Sequence, residues 1–131
     1  MIAFHYDREL GARVATFSDT VDDAELLGAY RSLLASPDYD PRVNDLVDMR
    51  PVTRLEVTGD ALRELVRAFT PLDAAMTQTR LAIVAGSDLV FGMARMYELL
   101  RSDTPEDIRV FRDIDMARAW LVESGQQRQA S

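Results

Sequence analysis

The sequence contains no cysteine and no lysine, and His5 is its one histidine. The lack of cysteine excludes thiol nucleophiles, disulfides, zinc–thiolate sites and iron–sulfur clusters. The lack of lysine excludes Schiff-base chemistry, a pyridoxal-phosphate anchor and the lysine of a phosphate-binding P-loop. A single histidine cannot build a multi-histidine metal site. These absences remove most of the common enzyme classes, and no cofactor is predicted.

Long apolar runs are also missing, since no stretch approaches the roughly 20 apolar residues of a membrane span. The first residues lack the basic leader and apolar run of a signal peptide, so we expect a cytoplasmic protein. The 131 residues, 47% of them hydrophobic, suffice for one domain whose core needs no metal or disulfide. The net charge of −7 argues against nucleic acid as a partner. An acidic surface aids solubility and would also suit a basic protein partner.

The spacing of apolar residues predicts five short strands. Two of them form an antiparallel hairpin around Gly11, which can take the positive φ of a tight turn. The segment 80–86 is continuously apolar after its first residue, as expected for a strand buried on both faces. A further apolar fragment, 55–57, precedes the second helix. The predicted strands cover 2–7, 12–18, 43–49, 80–86 and 108–111.

Four helices are predicted from apolar residues at helical spacing. Thr20, Thr58 and Ser87 stand at the expected N-cap positions of the first three helices. Gly125 is predicted to end the last helix, which leaves 126–131 as a polar tail. The predicted helices cover 21–35, 59–70, 88–101 and 114–124.

The predicted order, ββαβαβαβα, is typical of one α/β domain, here 1–125, with a mixed sheet and helices packed on it. The opening hairpin supplies the antiparallel edge. Ligands of open α/β sheets usually bind beyond the carboxyl ends of the strands. At that edge the sequence places 48–50, 58–60, 86–88 and Asp113.

Thr58 and Ser87 have two explanations at this edge, and capping a helix is enough to account for both. A hydroxyl beside a helix N-terminus can also carry a phosphate, because the free amides and the helix dipole stabilise added negative charge. Nearby acidic residues would oppose that charge.

Three acidic residues, Asp19, Asp22 and Asp23, offer carboxylates to a magnesium ion. Acidic residues also simply favour the first turn of a helix, and we prefer this explanation, so no metal site is predicted. His5 is interpreted as a strand residue and not as a lone general base.

A basic cluster in the last third either forms a solvated face, paired with Glu98 or Asp113, or binds an anionic partner. It comprises Arg95, Arg101, Arg109, Arg112 and Arg118.

The segment 48–59, DMRPVTRLEVTG, resembles the STAS, or anti-anti-sigma (SpoIIAA-like), family. That family has a strand led by an aspartate, a connector and an acid-Ser-Ser-Gly-like turn into a helix. Asp48 matches the strand acid, Glu56 the acid of the turn, and Thr58-Gly59 the hydroxyl–glycine pair, while Val57 replaces the other hydroxyl. The downstream segments SDLVFGMARMYELL and VFRDIDMARAWL resemble the STAS/SEC14-like branch of this group.

The resemblance implies a small α/β sandwich with a four- to five-stranded sheet and helices mainly on one face. In the regulatory branch a kinase phosphorylates the turn hydroxyl and thereby switches binding to an anti-sigma factor, which makes Thr58 the candidate acceptor. The SEC14-like branch implies instead a hydrophobic ligand held between the sheet and mobile helices.

We therefore predict a non-enzymatic regulatory module that binds an anti-sigma-like protein or a kinase and is switched at Thr58. The alternative is a carrier for a small apolar or lipid-like ligand, with a pocket under helix 88–101 or 114–124. The last helix either packs on its own sheet or exchanges between the protomers of a homodimer. The residues predicted to contact a partner or ligand are Asp48, Arg50, Glu56, Gly59, Ser87 and Asp88.

Overall fold

The computed structural model describes the backbone of residues 1–130 and the side chains of residues 1–123. In this part of the chain it has seven strands, four α-helices and a 3-10 segment, Thr70–Met76. The strands are β1 (Ile2–Asp7), β2 (Ala12–Phe17), β3 (Asp19–Asp22), β4 (Asn44–Asp48), β5 (Val52–Glu56), β6 (Arg80–Val84) and β7 (Asp107–Phe111). The helices are α1 (Asp23–Ala35), α2 (Gly59–Phe69), α3 (Asp88–Leu100) and α4 (Ile114–Ala130).

Five strands form one mixed sheet in the order β1-β2-β4-β6-β7. β1 runs antiparallel to β2, and Gly11 in the turn between them has a φ of +61°. The other neighbouring strands are parallel, with Arg13 opposite Asp45 and Asp45 opposite Leu81. This five-stranded mixed sheet with helices packed on it confirms the predicted α/β fold class.

Residues 19–22 contradict the prediction, because most of this segment was expected to start the first helix and instead forms β3. β3 pairs in parallel with β5, and the two strands make a separate two-stranded sheet. The N-cap of α1 is therefore not Thr20 but Asp22, which accepts a hydrogen bond from the Glu25 amide at 2.9 Å. Threonine and aspartate favour helix starts locally, whereas the partner of β3 lies far along the chain.

The two faces of the main sheet carry different numbers of helices. Helices α1, α2 and α3 pack on one face, and α4 packs on the other. Because side chains alternate along a strand, Leu81 and Ile83 of β6 join the core under the three helices, while Ala82 and Val84 join the core under α4. Of the two arrangements left open for the last helix, the structure shows packing on its own sheet.

Helix α4 is longer than predicted, since it continues past Gly125 to Ala130. A glycine inside a helix costs only about 1 kcal/mol relative to alanine. Gln126, Gln127 and Arg128 follow it, and glutamine and arginine are good helix formers, so the helix continues. Ser131, the last residue of the predicted polar tail, lies outside the described residues. Among those described, no helix has the length and apolar character needed to cross a membrane.

Candidate functional site

Thr58 lies at the start of α2 and ties this helix to α1. Its exposed side chain accepts a hydrogen bond from the Ala61 amide at 3.2 Å, which confirms it as the N-cap. The Thr58 hydroxyl donates to Asp23 Oδ2 at 2.7 Å, and the Thr58 backbone amide donates to Asp23 Oδ1 at 2.7 Å. A single carboxylate in the first turn of α1 therefore holds the start of α2. We call this pair the Asp23–Thr58 clasp.

The surroundings of Thr58 contain groups that would stabilise a phosphate and one that would repel it. The free amides of the first turn and the dipole of α2 would stabilise it. Asp23, by contrast, uses both carboxylate oxygens on Thr58 and would face the new charge directly. Phosphorylation would also remove the hydroxyl hydrogen that Asp23 accepts. A phosphorylated Thr58 would therefore lose the hydroxyl hydrogen bond of the clasp and keep only the one from its backbone amide.

Glu56 and Gly59 flank Thr58 on either side. Glu56 is exposed and forms an ion pair with Arg54 at 2.5 Å. Gly59 lies against α3, because a Cβ at this position would come within 3.1 Å of Met96 Cε. A larger residue after Thr58 would thus press on Met96, and the glycine lets α2 begin close to α3.

Asp48 and Arg50 form a second group where β4 ends. The Arg50 side chain folds back onto Asp48, with Nε and Nη2 each donating at 2.9 Å. Burial alone would raise the pKa of Asp48, but the hydrogen bonds from Arg50 outweigh it and hold that pKa below its ordinary value. A Cβ at Gly86 would lie 3.2 Å from the Cα and carbonyl oxygen of Arg50. The loop before α3 can approach Arg50 because residue 86 has no side chain.

Ser87 and Asp88 form a third group at the start of α3. Ser87 accepts a hydrogen bond from the Val90 amide at 3.3 Å, which confirms it as an N-cap. Asp88 accepts a hydrogen bond from Arg112 Nη2 at 2.7 Å, so the start of α3 is tied to the chain beyond β7. Gly86 brings this group against Arg50. No hydrogen bond between described side chains joins either group to Thr58.

The other carboxylate and histidine candidates have ordinary structural roles. Asp22 caps α1 and Asp23 forms the clasp, and within the described residues no three metal-ligating side chains lie together. His5 is exposed on the edge strand β1, opposite Val14 of β2. This placement agrees with its interpretation as a strand residue.

The predicted basic cluster does not form one face. Arg101 is only 1% exposed and lies in the interior, which contradicts a solvated position. It donates to Asp73 Oδ1 at 2.7 Å and to Glu106 Oε1 at 3.3 Å. Arg95 forms an ion pair with Glu98 at 2.6 Å, as predicted for a solvated face. The sequence does contain a signal for this buried position, because Arg101 continues the helical spacing of Val90, Ala94 and Tyr97 on the buried stripe of α3.

A cavity lies between the main sheet and the three helices α1, α2 and α3. Its volume is about 80 Å³, counted as the space open to the centres of water molecules. The floor includes Val47 of β4 and Ile83 of β6. Each helix contributes three lining residues: Leu26, Tyr30 and Leu33 from α1, Leu62, Leu65 and Phe69 from α2, and Met93, Ala94 and Tyr97 from α3.

One end of the cavity is polar. Arg13 of β2 pairs with Asp45 of β4 through two hydrogen bonds, of 2.8 Å from Nε and 3.1 Å from Nη2. Burial raises the pKa of Asp45 even though Arg13 opposes the shift. Burial also raises the pKa of Glu106 to about 7, with the charge of Asp45 adding to the effect and Arg101 reducing it. Tyr97 lines the same end, and burial raises the pKa of its phenol.

This polar end was not predicted, although Asp45 interrupts the apolar strand VNDLVDM. An acidic side chain inside such a strand needs a partner, and the parallel register supplies Arg13. The position of Glu106 could not be predicted in this way, because its partner Arg101 lies at the end of α3 and is shared with Asp73 of the 3-10 segment.

Comparison with solved structures finds the same fold in another protein. The chain is similar to an uncharacterized protein of the DUF3478 family from Shewanella loihica PV-4, which has a SpoIIAA-like fold. The sequences are 17% identical, the alignment covers 92% of each chain, and the TM-score is 0.56. Neither protein-family models nor curated protein sequences give a match. The protein thus has the SpoIIAA-like fold, as the resemblance in its sequence implied.

Proposed function

We propose that the protein is a non-enzymatic regulatory module that binds a protein partner through the turn 56–60 and α2, and that phosphorylation of Thr58 switches this binding. The Asp23–Thr58 clasp carries the proposal, because one exposed hydroxyl joins the starts of two helices. The SpoIIAA-like fold and the match of Glu56, Thr58 and Gly59 to the family's turn support the same function. An anti-sigma-like protein is the proposed target, and a kinase is the proposed second partner.

The switch would act through charge and geometry together. A kinase would transfer the terminal phosphoryl group of a nucleoside triphosphate to Thr58 Oγ1, releasing the nucleoside diphosphate and the hydroxyl proton. The phosphothreonine would carry about 1.5 to 2 negative charges beside Asp23. Repulsion would separate the start of α2 from α1 and change the surface that a partner meets. Asp48, Arg50, Ser87 and Asp88 are proposed to contact the partner from the same edge of the sheet.

Two measurements test the switch. Native mass spectrometry of the protein isolated from its host, with fragmentation, should find a phosphoryl group on Thr58. The variants Thr58→Ala and Thr58→Glu should then differ in affinity for the captured partner. Thr53→Ala is the matched control, since Thr53 is exposed on the neighbouring strand β5 and caps no helix. If both Thr58 variants bind every captured partner as the wild type does, the switch is wrong.

The cavity favours a second function, the binding of a small apolar ligand under α3. Protein interiors normally contain few voids larger than a water molecule, and this one is about 80 Å³. Apolar cavities of about 150 Å³ hold benzene, so a small molecule suits the space better than a complete lipid. Native mass spectrometry of the same sample tests this function, since a carrier should retain a non-covalent adduct while Thr58 stays unmodified.

A further inference from the structure

The cavity under α3 is too large to be explained as a packing defect around one water. A single water needs a volume of only about 10 to 15 Å³, whereas the space open to the centres of water molecules is about 80 Å³ here. Most of its wall is aliphatic or aromatic, which gives several waters few hydrogen-bond partners. The side chains around a void also lose the dispersion contacts that neighbouring atoms would supply. An organic occupant would restore these contacts.

The polar groups of the cavity are concentrated at one end. Arg13, Asp45 and Glu106 line the space where β2, β4 and β6 begin. Met49, Leu55 and Val57 line the opposite end, where the strands finish. A ligand that satisfies both ends must be amphipathic, with one polar group and a single apolar body.

The charged residues at the polar end determine whether the polar group of the ligand should be positive or negative. The Arg13 guanidinium is already engaged by both oxygens of Asp45. Arg101 is shared between Asp73 and Glu106, so two guanidinium groups face three carboxyl groups. The Glu106 side chain is 6% exposed, and among the described residues only its Oε1 accepts a hydrogen bond. Within the described part of the chain Arg101 Nε has no hydrogen-bond partner, but Arg101 does not line the cavity. A ligand carboxylate in the cavity would therefore meet Arg13, which is already paired, whereas a donor finds Glu106 as an acceptor.

We propose that the cavity binds a small amphipathic amine, whose ammonium group donates to Glu106 and whose unbranched apolar chain lies between Ile83 and Met93. The proposal rests on the second proposed function, ligand binding under α3, and does not involve Thr58. Glu106 accepts one hydrogen bond, so it can pair with the ammonium group when the ligand enters. This pairing limits the free energy lost when both charged groups are desolvated. An unbranched chain is narrower than an aromatic ring and suits the limited volume.

Hexylamine, hexan-1-ol and hexanoate test the proposal, because they share one chain and differ in the polar group. Binding to the full-length protein is followed by the NMR signals of ¹³C-labelled methionine methyl groups. Met49 and Met93 line the cavity, and Met116 on α4 is 64% exposed and serves as the internal control. We expect hexylamine to bind at least about tenfold more tightly than hexanoate, the equivalent of one charge-assisted hydrogen bond, with hexan-1-ol between them.

Two variants locate the site. Glu106→Gln should remove the preference for hexylamine and leave the affinity for hexan-1-ol unchanged, whereas Ala94→Leu should fill the space and abolish both. If hexanoate binds as tightly as hexylamine to the wild type, the amine class is wrong although the cavity binds ligands. If none of the three shifts the Met49 or Met93 signals, ligand binding under α3 fails together with the amine, and the Thr58 proposal is unaffected.

Discussion

The two faces of the main sheet are built from the same strands but differ in what they bury. Among the described residues, the apolar core under α4 has nine buried members, including Leu46, Ala82 and Leu121, and the buried Asn44 of β4 lies on the same face. The face under α1, α2 and α3 has a larger apolar core, yet it also contains the cavity and the charges of Arg101 and Glu106. The described residues of the α4 face include no buried charged side chain, whereas the other face combines its apolar core with a cavity and buried charges.

This difference assigns separate roles to the two faces. A closely packed apolar layer stabilises the fold through burial alone. A layer with a cavity and buried ion pairs stabilises the fold less for its area, because side chains that face empty space make fewer contacts and buried charges lose their hydration. Such a layer is where a ligand or a moving helix can be accommodated. The clasp joins two of the three helices on that face, so the candidate switch and the cavity share one layer of helices.

Replacing Arg101 by leucine should have the largest effect on stability. The change leaves Asp73 and Glu106 buried or half-buried without their shared cation. Breaking a buried pair in this way lowers the free energy of unfolding by about 3 to 5 kcal/mol. Urea unfolding measures it. Arg95→Leu, in the exposed pair with Glu98 on the helix that Arg101 caps, is the control and should lower the free energy of unfolding by about 1 kcal/mol or less. Equal losses for the two variants would show that the interior charges are not coupled.

The pH dependence of stability should separate Glu106→Gln from the wild type. The pKa of Glu106 is about 7 in the folded protein and 4.5 ordinarily, so the folded state holds the proton more tightly. The resulting stabilisation is complete below about pH 4.5 and is lost as the pH rises to about 8, a change on the order of 3 kcal/mol. Thermal unfolding across this range should show the loss in the wild type and not in Glu106→Gln. Parallel curves would contradict the raised pKa.

A matched pair of alanine-to-leucine changes compares packing on the two faces directly. Ala82 is fully buried under α4, so Ala82→Leu should overpack that face and lower the free energy of unfolding by about 1 to 3 kcal/mol. Ala94 is 5% exposed and lines the cavity, so Ala94→Leu can extend into empty space and should be neutral or stabilising. Urea unfolding of both variants tests the comparison. A similar loss at both positions would mean that the two faces are packed alike.

Much of this fold could be predicted because its signals are local. The caps at Thr58 and Ser87, and the apolar stripes behind them, identify α2 and α3 without any knowledge of the rest of the chain. The strand β3 could not be identified in the same way. Its four residues have one buried side chain, Val21, and they become a strand only by pairing with β5.

The candidate site was predictable in composition but not in connectivity. Thr58 was found from its turn, whereas its partner Asp23 already had an adequate local explanation as an acid in the first turn of a helix. The contact between them depends on how α1 and α2 pack. The cavity is harder still to predict from the sequence, because it depends on the distances between the sheet and the helices packed on it. Arg101 is different, since its spacing from Val90, Ala94 and Tyr97 is enough to predict a buried position.

The smallest predicted effect concerns the Asp23–Thr58 clasp, which connects helices only on the cavity face. Thr58→Ala removes the N-cap of α2 and one of the two hydrogen bonds to Asp23, so it should lower the free energy of unfolding by about 1 kcal/mol. Thr53→Ala, the exposed control, should change it by about 0.5 kcal/mol or less. Hydrogen exchange should then become faster in the first turn of α2 and stay unchanged in α4, since the sheet separates the two. Faster exchange on both faces would show that the clasp supports the whole domain and not only the helices on the cavity face.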